Sequence, residues 1–392
     1  MLSFFDRLEG KQLLMSKTQF LLAFIFLSSA WVSNAQKLAL FDRPDRMELV
    51  ERGGFFIYNN EYDRADSAIA EVAKILPGHP IVSMMEALNL GWREMPIRTN
   101  SKLFPDYLKA LNRVIESSEK LRELDDEHPE GVFFEQSARG LLAEHYAEEG
   151  SYIKALGEAK KVYGLMKLGF ELVDQNPEFL FSVGIYNYFR EMYPNRHPVY
   201  KPFMWFFRSG SVELGLEQMD RATRLGRLTR IEAHLYISYI LLRYENRPEE
   251  AMVYLENLVT TYPNNSFFKA KYLEGLASQN QFDKMMKLVT TLERNNDPYF
   301  VLCGHTYRAY YLEKKDKNYK NAERYYLNAL GVGSRYSNKG EYYKSLCYLG
   351  LGRVNEKYGK KEIAIYYYAK AIEMDENDAV TKEAKELSKR LK

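Results

Sequence analysis

Residues 246–265 read NRPEEAMVYLENLVTTYPNN. A polar break at Asn246–Pro248 opens an apolar stripe, Ala251, Leu255 and Leu258, spaced i, i+4, i+7. That spacing sets all three on one face of a helix. Tyr262 and Pro263 close the stretch, because proline cannot continue a helix. Whether this is a lone amphipathic helix or one unit of an array decides what kind of function to look for.

The same triplet recurs along the chain. It reads Met285, Val289, Leu292 at 34 residues beyond Ala251, then Ala322, Tyr326, Ala329, then Ala364, Tyr368, Ala371. Towards the N-terminus lie Gly215, Met219, Ala222, then Ala155, Ala159, Val162, then Ala110, Val114, Ser117, then Ala65, Ile69, Val72. The first position is small in most copies, which lets a second helix approach to about 8–10 Å. Six of the eight triplets are preceded by a further apolar segment and a short polar turn: NNEY, EEGSY, ENRP, QNQF, DKNY or YGKK. Helix, turn, helix at a period of 34 to 45 residues, with one gap of 60, is the signature of a stacked array.

These units resemble tetratricopeptide repeats (TPR), whose pattern is aromatic, Leu-Gly, Tyr, then Ala, aromatic, Ala, Pro. The match runs from about Arg46 to Lys392 and is strongest at Arg46–Pro77, Ile231–Pro298 and Tyr342–Asp378. The resemblance implies an all-α fold of tandem helix-turn-helix repeats in a right-handed TPR-like α-solenoid. The expected organisation is a signal peptide at 1–35, a lead-in at 36–45 and N-terminal repeats at 46–180. An irregular repeat with an aromatic and proline insertion follows at 181–230, then C-terminal repeats at 231–377 and a capping helix at 378–392. The expected number of units is about eight.

The N-terminal segment carries its own information. Phe20–Val32 is apolar, Lys17 precedes it, and Ser33-Asn34-Ala35 places small residues before Gln36. This is the layout of a cleaved secretory signal and is too short to span a bilayer. MSKTQF from Met15 is the more ordinary beginning of such a signal. The expected localisation is therefore exported, periplasmic or secreted. Cys303 and Cys347 lie in apolar helical runs, and two buried free thiols are expected ahead of a disulfide.

Net charge is +2, yet residues 36–180 carry −8 and residues 301–392 carry +7. The positive charge is interleaved with acids, so no nucleic-acid footprint is read. Six histidines form no local ligand pair, GVGS at 331–334 follows a helix rather than a strand, and no catalytic set is found. The expectation is a non-enzyme with no cofactor and no metal.

In the TPR family the groove is lined by the first helix of each unit. Carried over, the resemblance implies Ala233, Tyr236, Ile240 and Arg243, then Phe267, Ala270, Glu274 and Ala277, then Tyr307, Tyr311 and Lys314, then Arg353. Of these Tyr236, Ile240, Arg243, Glu274, Tyr307 and Tyr311 are the expected lining of a partner groove. Phe203–Phe207 is an aromatic run that suits either a buried helix or peripheral membrane contact. The function expected is an exported scaffold for a protein or peptide partner, in cell-envelope assembly or maintenance. The alternative is a glycan- or nutrient-binding protein on the same scaffold.

Overall fold

The computed structural model describes residues 39–97, 100–196, 201, 204, 205, 207–334, 340–374 and 378–391. The signal segment, and Phe203 and Phe206 of the aromatic run, lie outside the described residues. Among the described residues there are seventeen helices and no strand. They pair as α1 (Pro44–Tyr58) with α2 (Tyr62–Ile75), α3 (Pro80–Arg93) with α4 (Phe104–Leu124), and α5 (Pro129–Glu148) with α6 (Tyr152–Leu172). Next come α7 (Phe179–Arg196) with α8 (Val212–Leu225), α9 (Arg230–Arg243) with α10 (Pro248–Thr261), and α11 (Ser266–Ser278) with α12 (Phe282–Glu293). The array ends with α13 (Pro298–Lys314) and α14 (Tyr319–Gly333), α15 (Glu341–Lys357) and α16 (Lys361–Met374), and a last helix α17 (Asp378–Leu391). Each helix packs chiefly on its chain neighbours, which makes a TPR-like α-solenoid of eight helix pairs and a terminal helix.

The triplets explain the pairing. Ala251, Leu255 and Leu258 are buried on α10, and the triplets of α2, α8, α12, α14 and α16 are buried as wholly as this one. Burying the apolar area of each such face supplies about 25 cal/mol per Å². α6 departs from the expected register. Ala155 and Val162 are half-buried and Ala159 is exposed, while the buried i, i+4, i+7 set is Leu165, Gly169, Leu172. α6 is 21 residues long and sits against α7 by its C-terminal part only, so its N-terminal half leaves Ile153 and Leu156 in solvent. Val380 and Ala384 of α17 are buried against α15 and α16, and both cysteines are buried free thiols.

The turns inside six units share one backbone device. Asn60, Gly150, Asn246, Asn280, Lys317 and Gly359 each stand two residues before the second helix with positive φ. Glycine meets no Cβ clash there, and asparagine tolerates it through its short polar side chain. Lys317, at φ 54°, has neither advantage.

The solenoid also closes on itself. Tyr58 at the end of α1 donates its hydroxyl hydrogen to Glu232 Oε1 of α9. Asn265 Nδ2 donates to the Tyr58 carbonyl at 2.7 Å, and the Asn264 backbone N–H donates to Asn59 Oδ1 at 3.0 Å. Glu51 of α1 pairs with Arg227, just before α9. Trp92, at the end of α3, meets Phe267 and Phe268 of α11 edge to face at 5.8 and 5.2 Å. These contacts join residues about 170 to 210 apart in sequence, so the first two units lean on the fifth and sixth.

Relieving the one lysine with positive φ tests the turn account. Lys317→Gly is expected to raise stability by roughly 0.5–1 kcal/mol. Chemical denaturation checks it, and an unchanged or lowered midpoint contradicts the account.

Candidate functional site

The first helices of successive units face inward, and closure of α1 onto α9 walls that inner face in. Two chambers result. One, of about 610 Å³, lies between α1, α3, α5, α7 and the start of α9, with Val50, Met84, Met85, Phe133 and Met166 in its wall. The other, of about 480 Å³, lies between α3, α5, α9 and α11, with Trp92, Met95, Tyr107, Tyr239 and Phe267 in its wall. They meet at a rim formed by Leu88, Leu141, Glu144, Glu232 and Tyr236, which belong to both. Glu144 is solvent-exposed, so the rim opens to water on the α5 side.

The start of α9 is fixed by a buried carboxylate. Glu178, 4% exposed, accepts the Arg227 N–H on Oε1 at 2.6 Å and the Leu228 and Thr229 N–H groups on Oε2 at 3.0 and 3.1 Å. A negative group at a helix N-terminus satisfies donors the helix itself leaves open. Burial raises the Glu178 carboxyl, against the lowering effect of those N–H groups. Glu232 sits in the first turn that results. Its Oε1 takes the Tyr58 hydroxyl, and its Oε2 is buried with no hydrogen-bond partner. Burial pushes the Glu232 carboxyl up to about 7, the Tyr58 hydroxyl opposing and Glu178 adding to the rise.

Further along the inner face the cavity narrows to about 250 Å³, between α9, α11, α13, α15 and α17. Its cations are already matched. Arg243 grips Glu274 through both carboxylate oxygens, at 2.7 and 3.0 Å, with its guanidinium 3.7 Å above the Tyr342 ring. Arg353 grips Glu313 at 2.6 and 2.8 Å and reaches Glu383 at 3.0 Å. Burial alone would raise the Glu274 carboxyl, but Arg243 and Lys271 beside it hold it below its ordinary value. Bidentate, part-buried pairs of this kind staple neighbouring units together.

The expected groove residues divide accordingly. Tyr236 stands on the rim, and Glu274 lines both the second chamber and the narrow end. Arg243 and Tyr307 line the narrow end. Ile240 is fully buried in the core with Ile237 and Ala251, and Tyr311 lies against Phe282 at 5.9 Å between ring centroids. The inner-facing residues one position earlier, Tyr239 and Tyr310, line cavities in their stead. On α9 the second chamber is lined by Glu232, Leu235, Tyr236, Ser238, Tyr239 and Leu242, of which Tyr236 is a family position. Tyr58, Leu88, Trp92 and Leu141 were absent from the expected set. The family spacing applied to α3 falls on Ile81, Met84, Leu88 and Gly91, all of which line the chambers, so the signal was present there.

No family model matches the chain, and no curated protein matches it. Among solved structures it is similar to the human IFIT1 dimer with PPP-AAAA, at 16% identity over 81% of this chain and 70% of that one, TM-score 0.40. It is similar to yeast Tom70 at 10% identity over 96% of each chain, TM-score 0.40. It is also similar to the human IFIT1 dimer with m7Gppp-AAAA, at 13% identity over 92% of this chain and 99% of that one, TM-score 0.40.

Glu232 gives the site a pH signature. Its carboxyl titrates near 4.5 in the unfolded chain and near 7 in the fold, so the folded state holds a proton that the unfolded state releases. Stability is therefore expected to fall as pH rises through this window, by about 1–3 kcal/mol. Glu232→Gln should remove that loss, matching the native chain at pH 5 and exceeding it at pH 8 in thermal melts. Parallel curves for the two proteins contradict the assignment.

Proposed function

We propose that the protein is an exported, non-catalytic scaffold whose inner channel holds a segment of a protein partner, in the assembly or maintenance of the cell envelope. The observation that carries this reading is the pair of adjoining chambers on the inner face, apolar over most of their walls. Aromatic rings with a polar handle, such as Trp92, Tyr236 and Tyr239, supply contact area at small entropic expense. The ionisable groups around the channel have structural tasks: Glu178 caps α9, Glu274 anchors Arg243 and Arg227 anchors Glu51. Export is supported by the apolar run Phe20–Val32 between Lys17 and the small residues Ser33–Ala35.

One experiment addresses both halves of the proposal. A photo-crosslinking residue is placed at Leu88, and the chain is recovered from the envelope and medium of the expressing cell. The expected product begins at Gln36 and carries one dominant protein adduct, mapped to a single segment of that partner. The same residue at exposed Tyr366 on α16 should give none. An unprocessed N-terminus contradicts export, and equal labelling from both positions contradicts the channel.

A further inference from the structure

We propose that the N-terminal half of α6, together with Trp205, forms a docking face for an anionic lipid surface. The inference is independent of the channel and of what the channel holds.

Ile153, Leu156, Lys160, Tyr163 and Lys167 recur at i, i+3, i+7, i+10 and i+14, which sets them in one strip along α6. The strip is about 22 Å long at 1.5 Å per residue, and Tyr152 opens it beside Ile153. Because α7 packs on the C-terminal part of α6 only, the strip is left in water. Tyr152 and Leu156 are 72% exposed and Ile153 is 90% exposed. Val162 and Met166, on another face of the helix, line the first chamber, so the strip does not belong to the channel.

The segment that follows α7 adds to this face. The Phe207 ring meets Tyr163 edge-on at 4.9 Å, and the Tyr163 hydroxyl oxygen accepts the Arg208 N–H at 3.0 Å. Arg190 of α7 donates to the Met204 carbonyl. Trp205, between these two anchors, is 76% exposed. Trp and Tyr, with an apolar ring and a polar tip, are the side chains that settle at the boundary between bilayer and water.

Charge selects the surface. Residues 36–180 carry −8, yet Tyr152–Lys167 holds four lysines and one acid, Glu158. Glu158 is spent on Arg139 at 2.9 Å and Lys161 at 3.1 Å. Lys154, Lys160 and Lys167 are exposed and form no ion pair among the described residues. Lys201 and Arg208 are exposed too, and no acid lies between them in sequence. Glu148 and Glu149 before the helix, and Glu171 a turn beyond Lys167, lie outside the strip at its two ends. Two copies joined across the strip by a twofold axis would set lysine against lysine. A protein partner needs a matching contour, whereas Ile153 and Leu156 project where Gly157 and Gly164 have open space around them. A fluid bilayer needs none. Its acyl boundary takes the apolar side chains, and its phosphates take the ammonium groups at the ends of their apolar stems.

The test uses the chain from Gln36, which contains every described helix, and sedimented vesicles. One set is phosphatidylcholine and the other holds about one third phosphatidylglycerol. Binding to the anionic set should be roughly tenfold tighter or more, and should weaken about fivefold or more between about 0.05 and 0.3 M salt. Trp92 is buried, so Trp205 reports the surface. Its emission should shift to the blue on the vesicles and be quenched by lipids brominated along the acyl chain, and Trp205→Phe should remove both signals. Ile153→Ser with Leu156→Ser should weaken binding about tenfold without moving the melting temperature, since both side chains already face water. Lys154→Gln, Lys160→Gln and Lys167→Gln together should abolish the preference for the anionic set. Val253→Ser, at a similarly exposed residue of α10, should change nothing. No binding, equal binding to both sets, binding that leaves Trp205 unquenched, or binding undiminished by the two serines overturns the inference. Tighter binding to soluble polyglutamate than to the anionic vesicles also overturns it, in favour of an acidic protein partner.

Discussion

The hydrogen bond from Tyr58 to Glu232, with its neighbours at Asn59, Asn264 and Asn265, sets the shape of the inner face. A stack of helix pairs held only by adjacent contacts is an open ribbon, and its concave side is a shallow groove. Here the end of α1 is tied to α9 and α11, so the inner surface of the first six units becomes a walled channel. Closing a loop of this length costs only a few kcal/mol of chain entropy, since the term grows with the logarithm of length. A handful of buried hydrogen bonds and the Trp92–Phe268 contact are of the right size to offset it.

Closure divides the array into two parts with different tasks. In the first six units the inner side chains are mostly apolar and leave space. At the end of that stretch Arg243 of α9 pairs with Glu274 of α11, and beyond it Arg353 of α15 pairs with Glu313 of α13, filling the inner face with matched charge. Removing one member of such a pair would strand a buried charge, so these residues hold register between units rather than wait for a ligand. The same closure covers part of Glu232 and leaves its Oε2 buried without a partner.

Much of the fold was legible because stacking is a local matter. Small-large-apolar triplets at i, i+4, i+7 name the buried face of a helix wherever its neighbour in sequence is its neighbour in space. α6 keeps its chain neighbours, but its N-terminal half is left uncovered on one side, and there the triplet at Ala155 was misread in place of Leu165, Gly169, Leu172. The polar turns were legible for a related reason, since Asn and Gly mark the positive-φ position in five of the six. Gly350 and Gly352 fit the same logic. A side chain on either would collide with Tyr326 or Tyr368 of the flanking helices. The channel was not legible, because closure joins residues some 170 to 210 apart and no periodic signal marks Tyr58 or Glu232 as partners. On α9 Ala233 and Ile240 lie in the core, while Tyr239 and Leu242 beside them line cavities. Helix boundaries read from sequence drift by a residue or two, and one residue is 100° around a helix.

The central claim is that α1 and α9 touch through Tyr58 and Glu232. A double-mutant cycle of Tyr58→Phe and Glu232→Met, read by denaturant unfolding at pH 6, measures that contact directly. The account predicts a coupling of about 1 kcal/mol or more between two residues on opposite sides of the closure. Strict additivity of the two substitutions would mean that the first unit stands apart and that the inner face is an open groove.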